Sequence, residues 1–257
     1  MLKRIILRLK KEYSIDCSPA VVVSDGRTDE YTLAVTDDKA AMSTFKSNGI
    51  PVLFVCDKDE FVNGADYVTD DISQCDYAYL NMVYSRQKNI PLKILETPRC
   101  RVREMTVDDL PALYEMYDDE MIRKYTEPLY DYEKEKEYTE SYIKNMYGFY
   151  GFGLWLAFDK ASGRLAGRAG ISIREIDGKS CHELGYIIAS DFRQKGYATE
   201  ICTGIIEYAF ETLGFDELYL VTEKDNPASV RTAKKLGFSL ISEGDKYFIY
   251  KKESGHE

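Results

Sequence analysis

A strand pattern runs directly into a long helical pattern between residues 182 and 214, and this junction constrains the fold more than any other part of the sequence. The strand reads HELGYIIAS, and the helix extends through ATEICTGIIEYAFETLG. Two adjoining apolar stripes follow helical spacing in this segment: Ile201, Ile205, Ala209 and Leu213, and beside them Cys202, Ile206 and Phe210. A strand, a tight loop and a helix that buries one face are therefore contiguous, which predicts an α/β architecture.

The segments on either side of this junction add further strands and a second helix. The stretches GFGLWLAFD and GRLAGRAGISIRE read as strands, and the turn at residues 160–163 joins them into a hairpin. After the long helix come a strand, ELYLVT, and a helix that Asn226 caps, Pro227 opens and Gly237 ends. We assign residues 98–257 to one domain.

The amino-terminal part of the chain follows a different pattern, in which short apolar runs alternate with helices. The stretch TLAVTDDKAAMSTFKSNGIPVLFV reads as a strand, a helix, a stop at Asn48-Gly49 and the next strand. This is a Rossmann-type βαβ unit, and the segment as a whole predicts a small open α/β sheet. The pattern breaks at Pro91 and again at Pro98. We place the boundary near residue 97, which predicts a small α/β domain over residues 1–97.

Within this first domain, GIPVLFVC followed by GADYVTDD resembles the last third of the core of haloacid-dehalogenase-like phosphatases. Those enzymes need an aspartate nucleophile in a D-x-D-x-T type of motif after their first strand, and nothing in this sequence matches it. Asp16 and Asp25 stand in unrelated contexts. The domain is therefore predicted to be a non-catalytic module that packs on its neighbour or on a partner, with residual phosphatase activity as the alternative.

The charge and the cysteine pattern exclude several classes of partner. Because the formal net charge is −10, nucleic acids and anionic lipid surfaces are repelled at long range. No apolar stretch approaches the roughly 20 residues that span a bilayer, and no signal sequence is recognisable, so we expect a cytoplasmic protein. The six cysteines are scattered without a C-x-x-C pair and only two histidines occur, which predicts reduced thiols and no metal site.

The loop between the long strand and the long helix, RQKGYA at residues 193–198, gives the strongest indication of chemistry. A short loop that feeds a helix N-terminus presents unpaired N–H groups and the positive end of the helix dipole, so it can hold a pyrophosphate without a metal. Gly196 has no Cβ and lets the backbone approach phosphates, and Ala198 keeps the next position small. An ordinary surface turn before a buried helix is the other interpretation.

The loop matches the R/Q-x-x-G-x-G/A pattern of GNAT acetyltransferases, and it is followed at the expected separation by N-x-x-S, here Asn226 to Ser229, and by LGF. The resemblance extends from about Arg101 to Lys252. Within the superfamily, ELGYII, RQKGYATE and NPASVRTAKKLGF are most similar to the ribosomal-protein alanine and serine N-acetyltransferases. The resemblance implies a mixed, mostly antiparallel sheet flanked by helices, acetyl-CoA as the cofactor, and transfer of an acetyl group to an amine.

The resemblance also implies how acetyl-CoA binds. Its pantetheine arm lies along Tyr186-Ile187-Ile188 and pairs with the main chain, and the N–H of Ile187 or Ile188 stabilises the oxyanion. Asn226 hydrogen-bonds the pantetheine, and Arg231 and Lys235 reach the adenosine phosphate or are merely solvated. The predicted cofactor-binding residues are Ile187, Ile188, Arg193, Gln194, Lys195, Gly196, Tyr197, Ala198, Thr199, Asn226 and Ser229.

Two residues are predicted to catalyse the reaction. Strand alternation puts Glu183 beside the thioester as the general base for the amine, with a surface carboxylate or an acceptor-binding group as the alternative. By the same alternation His182 points the other way. Many GNAT enzymes have a tyrosine early in the last helix as the general acid, but this chain has TAKK at residues 232–235. In the ribosomal-protein branch the serine of N-x-x-S is the partner of the sulfur, which implies Ser229.

The acceptor is predicted to be a small-molecule amine, a protein N-terminus or a lysine. The segment YTEPLYDYEKEKEYTESYIKNMYGFYGFG is rich in tyrosine and glutamate, which suits either the clamping of a cationic ligand or a pair of amphipathic helices with an acidic face. The competing hypothesis for the whole chain is a non-catalytic acyl-CoA-binding regulatory module whose amino-terminal domain contacts a partner.

Overall fold

The computed structural model describes residues 1–10, 17–23 and 27–255. The chain divides into two compact units, Met1–Leu92 and Lys93–Glu257. The short strand Lys93–Glu96 belongs to the second unit, because it pairs with Cys100–Arg103. The two aspartates weighed as nucleophiles, Asp16 and Asp25, lie outside the described residues.

The first unit is built on a five-stranded parallel sheet in the order β2-β1-β3-β4-β5. Every residue of β3 and β4 is buried, which is typical of a parallel sheet covered on both faces. Asp38 caps the helix between these two strands, because its carboxylate accepts the N–H groups of Ala40 and Ala41. The helix ends before Asn48, as predicted. The strands are β1 Arg4–Arg8, β2 Val21–Val23, β3 Thr32–Thr36, β4 Val52–Val55 and β5 Val68–Thr69; the helices are α1 Lys39–Ser47 and α2 Tyr77–Gln87.

The second unit contains an eight-stranded mixed sheet in the order β12-β13-β11-β10-β9-β8-β7-β6. All neighbouring strands are antiparallel except β10 and β11. The predicted mixed, mostly antiparallel sheet and the predicted β8–β9 hairpin are therefore confirmed. The strands are β6 Lys93–Glu96, β7 Cys100–Arg103, β8 Leu154–Asp159, β9 Leu165–Ile176, β10 Lys179–Ile188, β11 Glu217–Glu223, β12 Ser239–Glu243 and β13 Tyr247–Glu253.

Five α-helices of the described part of this unit flank the sheet: α3 Leu110–Tyr117, α4 Glu120–Tyr125, α5 Tyr132–Tyr142, α6 Tyr197–Glu211 and α7 Pro227–Lys235. Helix α5 continues as a π-helix over Ile143–Tyr150. The two predicted stripes of α6 face the core: Ile201, Ile205 and Ala209 are fully buried, Cys202 and Ile206 are buried beside them, and Phe210 and Leu213 are partly buried. Each buried isoleucine contributes about 1.5–3 kcal/mol of hydrophobic stabilisation. Within the described ranges, no helix is long and apolar enough to cross a membrane.

Candidate functional site

A cleft opens in the second unit where β10 and β11 part. β10 pairs with β9 over its whole length, but it is in register with β11 only at Glu183 and Tyr219. Beyond this point the two strands enclose a cleft of about 990 Å³, which is also lined by the loop after β10 and by one side of α7. The cleft brings together every predicted site residue except Lys195: Glu183, Ile187, Ile188, Arg193, Gln194, Gly196, Tyr197, Ala198, Thr199, Asn226 and Ser229.

The main chain of β10 presents only alternate residues to the cleft. Ala189 donates its N–H to the carbonyl oxygen of Ala166 at 2.9 Å, so the peptide groups of residues 189, 187 and 185 face β9. Those of Tyr186 and Ile188 face the other side, where β11 has separated from the strand. Of the two amides predicted to stabilise the oxyanion, the Ile187 N–H is therefore taken up by β9, and the Ile188 N–H is the one that faces the cleft. Sequence alone left the choice between Ile187 and Ile188 open, and the pairing with β9 favours Ile188.

The N-terminus of α6 has no side chain that caps it. In α1, α2, α4, α5 and α7 the residue before the helix accepts a backbone N–H with its side chain, but α6 begins after Gly196 and receives no such bond. Gln194 and Gly196 both adopt positive φ angles, 58° and 85°, which turns the chain sharply into the helix. The first N–H groups of α6 are thus left for a ligand, and an anion fits them best.

The two cationic side chains of the loop are engaged with the protein itself. Arg193 forms a bidentate pair with Asp119, at 2.7 and 3.2 Å, and its Nε donates to the carbonyl oxygen of Ile188 at 3.0 Å. Lys195 donates its Nζ to the carbonyl oxygen of Asp191 at 2.6 Å and does not line the cleft. These side chains hold the loop in shape. The donors that the loop itself offers to the cleft are therefore its backbone amides.

Glu183 lies at the end of the cleft where the strands diverge. Its carboxylate is 14% exposed and accepts hydrogen bonds from Nη1 of Arg174 at 3.1 and 3.3 Å. Burial raises the pKa of the Glu183 carboxyl above its usual value, and the neighbouring Arg174 guanidinium limits the rise. A carboxylate with a raised pKa is a better proton acceptor than an exposed one. Sequence reasoning missed Arg174, which alternation along the β9–β10 hairpin puts on the same face as Glu183.

The role predicted for Glu183 as a general base implies that replacing Arg174 with glutamine moves the acid limb of the rate–pH profile to higher pH. Without the guanidinium, the effect of burial on Glu183 is opposed less strongly, so the charged form is disfavoured more and the pKa of the carboxyl rises further. The measurement is the initial rate against pH for wild type, Arg174→Gln and the control Arg101→Gln, whose side chain pairs with Glu96 instead. An acid limb that stays in place, or moves to lower pH, would contradict the assignment of this limb to Glu183.

Ser229 lies at the other wall of the cleft in the first turn of α7. Its backbone N–H donates to Oδ1 of Asn226 at 3.1 Å, which caps the helix. Its Oγ accepts a hydrogen bond from the Tyr186 hydroxyl at 3.4 Å. Burial raises the pKa of Tyr186, so this hydroxyl keeps its proton at neutral pH. Tyr186 is a residue that sequence reasoning had used only for its backbone, and no local pattern links it to a serine on another helix.

The structure also places the other residues that the sequence analysis considered. His182 stacks on Phe215 with ring centroids 3.8 Å apart, which agrees with its predicted direction away from Glu183. Arg231 and Lys235 line the cleft. Of the tyrosine- and glutamate-rich segment, only residues 125–127 line the cleft. Tyr142 and Tyr147 of that segment serve the fold, since the Tyr142 hydroxyl accepts the N–H of Leu154 at 2.7 Å and the Tyr147 hydroxyl donates to the carbonyl oxygen of Leu154.

Comparison with known proteins places the second unit in a family. The acetyltransferase (GNAT) domain profile matches residues 99–239. The uncharacterized protein YkkB of Bacillus subtilis is 31% identical over 144 residues, which cover 56% of this chain and 83% of that protein. The match lies within the second unit and does not support the haloacid-dehalogenase-like resemblance of the first.

Solved structures share the fold at low sequence identity. The ribosomal-protein-S5-alanine acetyltransferase from Vibrio fischeri has a TM-score of 0.54 at 16% identity, over 63% of this chain and 96% of that one. A ribosomal L7/L12 α-N-protein acetyltransferase in complex with coenzyme A also has a TM-score of 0.54 at 16% identity, over 63% of this chain and 98% of that one. The cleft and the uncapped helix agree with the profile match, and the chain belongs to the GNAT family of acetyl-CoA-dependent acetyltransferases.

Proposed function

We propose that this enzyme acetylates an amine by direct attack of the amine on the thioester of acetyl-CoA, without an acetylated residue on the protein. The acceptor is a protein N-terminus, a lysine or a small-molecule amine. The observation that carries the proposal is that one cleft contains a buried carboxylate, a serine hydroxyl and an uncapped helix N-terminus. Acetyl-CoA supplies the activated acetyl group, and the protein supplies binding, proton transfer and charge stabilisation.

The cofactor roles divide between backbone and side chains. The amides of residues 194–199 hold the pyrophosphate, because they lie in the loop and first turn at the uncapped N-terminus of α6. The peptide group of Tyr186, which faces away from β9, pairs with the pantetheine as an added strand would, and the N–H of Ile188 is left for the thioester. Asn226 uses Oδ1 for its cap and has its amide nitrogen for the pantetheine. Arg231 and Lys235 are the cations for the adenosine phosphate.

Glu183 acts as the general base. An amine attacks only in its neutral form, whereas a lysine has a reference pKa of about 10.4 and an α-amino group one of about 8, so a proton must leave near neutral pH. The pKa of Glu183 is raised by burial, which brings it closer to the pKa of such an amine. The Ile188 N–H donates to the carbonyl oxygen as that oxygen gains negative charge.

Ser229 donates a hydrogen bond to the departing sulfur, which leaves as a thiolate stabilised by that bond. Its Oγ accepts from Tyr186, so its own proton is free to point elsewhere in the cleft. Replacing Ser229 with alanine should lower kcat about tenfold, with little change in the affinity for acetyl-CoA, because a thiol of pKa about 8.5 leaves without much help. The measurement is kcat from CoA release beside the dissociation constant for acetyl-CoA. An unchanged kcat would remove Ser229 from the mechanism.

The experiment that tests the proposed function is CoA release from acetyl-CoA on an amine panel. The panel contains peptides that begin with alanine or serine, a lysine peptide with a blocked N-terminus, and small diamines. Release that depends on one class of amine supports the proposal and identifies the acceptor. If acetyl-CoA binds but no amine stimulates release, the competing hypothesis of a cofactor-binding regulatory module becomes the better one, although the absent helix tyrosine is its only support.

For the first unit we propose a non-catalytic role, since its only resemblance to an enzyme lacks the nucleophile motif. Magnesium-dependent release of phosphate from a phosphomonoester by the full chain would contradict this proposal.

A further inference from the structure

An ion pair joins the β6–β7 turn to the first turn of α6. Nε of Arg99 lies 2.6 Å from Oε2 of Glu200, and the backbone N–H of Arg99 donates to Oε1 of Glu200 at 2.8 Å. The hydroxyl of Thr97 donates to the same oxygen at 2.6 Å. The Glu200 carboxylate therefore receives three hydrogen bonds from a turn about a hundred residues earlier in the chain.

Arg99 also contacts the loop that precedes α6. Its Nη1 donates to the carbonyl oxygen of Lys195 at 2.9 Å. Its guanidinium lies over the ring of Tyr197, 4.1 Å from the centroid. A Cβ at Gly196 would come within 3.5 Å of Nη2. The Arg99 side chain thus contacts Lys195 and Tyr197 and lies beside Gly196, and these residues lead into the uncapped N-terminus of α6.

The charge of Glu200 works against the ligand that this helix end is built to hold. Its side chain is 16% exposed and lies in the first turn of α6, where a second anion would be repelled. Burial acts to raise the pKa of Glu200, but the hydrogen bonds from Thr97 and Arg99 outweigh it and hold the pKa below its usual value, so the group is charged at neutral pH. The positive charge of Arg99 offsets that of Glu200 at short range.

We propose that Arg99 is a positioning residue for acetyl-CoA: it neutralises Glu200 and fixes the backbone of residues 195–197, so that the loop amides meet the pyrophosphate. The inference rests on the proposed pyrophosphate site and adds to it a residue that does not line the cleft. Arg99 lies outside the hexapeptide by which the loop was recognised, and its contribution is to cofactor affinity and not to the transfer step.

The test is the affinity of Arg99→Ala for two acetyl donors. Calorimetric titration should give a dissociation constant for acetyl-CoA about tenfold above that of wild type, because the variant loses charged hydrogen bonds and leaves Glu200 unpaired. S-acetylpantetheine, which lacks the pyrophosphate, should bind wild type and variant alike. In turnover, KM for acetyl-CoA rises while kcat at saturating acetyl-CoA stays within about twofold of wild type.

Three further variants separate positioning from general destabilisation. Arg99→Ala/Glu200→Gln removes the uncompensated charge and should recover part of the lost affinity. Arg101→Ala, on the adjacent strand and paired with Glu96, should bind acetyl-CoA as wild type does. If Arg99→Ala does not fold, Arg99→Lys replaces it. A lysine keeps the positive charge but cannot donate to Glu200 and to the Lys195 carbonyl at the same time. The affinity of this variant for acetyl-CoA should fall, but by less than about tenfold.

Two results would overturn the inference while the proposed function stands. One is wild-type affinity for acetyl-CoA in a folded Arg99 variant. The other is an equal loss of affinity for acetyl-CoA and for S-acetylpantetheine. Because S-acetylpantetheine has no pyrophosphate, such a loss would not arise from the pyrophosphate-binding loop. Failure of wild type itself to bind acetyl-CoA would instead overturn the proposed function, and the inference with it.

Discussion

Replacing Glu183 with glutamine is expected to lower kcat/KM for acetyl transfer by about 10²- to 10⁴-fold, the usual contribution of a positioned general base. Glutamine has nearly the same size and keeps an oxygen for Arg174, so the local packing is retained, but it cannot take a proton from the amine. The affinity for acetyl-CoA should stay at the wild-type value. The measurement is the initial rate against pH, in which the acid limb assigned to Glu183 should disappear.

The matched control for this variant is Glu175→Gln. Glu175 is an exposed carboxylate on β9, in the same sheet, and it does not line the cleft. Its rate and pH profile should equal those of wild type. If Glu183→Gln turns over as fast as the control, the carboxylate is not the base. Glu183 is then either an acceptor-binding group or a surface carboxylate.

Introducing glutamate at Gly196 is expected to abolish the thermal stabilisation of the protein by acetyl-CoA. A ligand that binds the native state raises the melting temperature according to its occupancy, so loss of the shift reports loss of binding. Two effects act together. Gly196 has a φ of 85°, which costs an L-residue about 1–2 kcal/mol, and the new carboxylate lies where the pyrophosphate is proposed to bind. We expect the dissociation constant to rise at least about 100-fold.

Gly163→Glu separates these two effects. Gly163 has a φ of 71° in the turn of the β8–β9 hairpin, and nothing lies within 4 Å of a Cβ at that position. The substitution imposes the same kind of backbone strain and the same charge at a residue that does not line the cleft. Its melting temperature without ligand should fall as much as that of Gly196→Glu, but its shift with acetyl-CoA should remain. A retained shift in Gly196→Glu would mean that the pyrophosphate binds elsewhere.

The parts of this protein that sequence alone determined are those encoded by local pattern. The order of β10, the loop and α6 follows from one alternating segment and one helical stripe that are contiguous in the chain. The cap of α7 needs only Asn226 and the residues after it. Because side-chain alternation and helix capping act within a few residues, they can be recognised without knowing which strands pair.

The tertiary structure decided what depends on register and on long-range packing. Whether Ile187 or Ile188 offers its amide follows from which peptide groups β9 occupies, and periodicity alone leaves both choices open. The contact of Tyr186 with Ser229 joins residues 43 positions apart, and that of Arg99 with Glu200 joins residues 101 apart. Such contacts arise only when strands and helices assemble into one core, so the sequence determined the elements and their order, and the packing determined which polar groups meet.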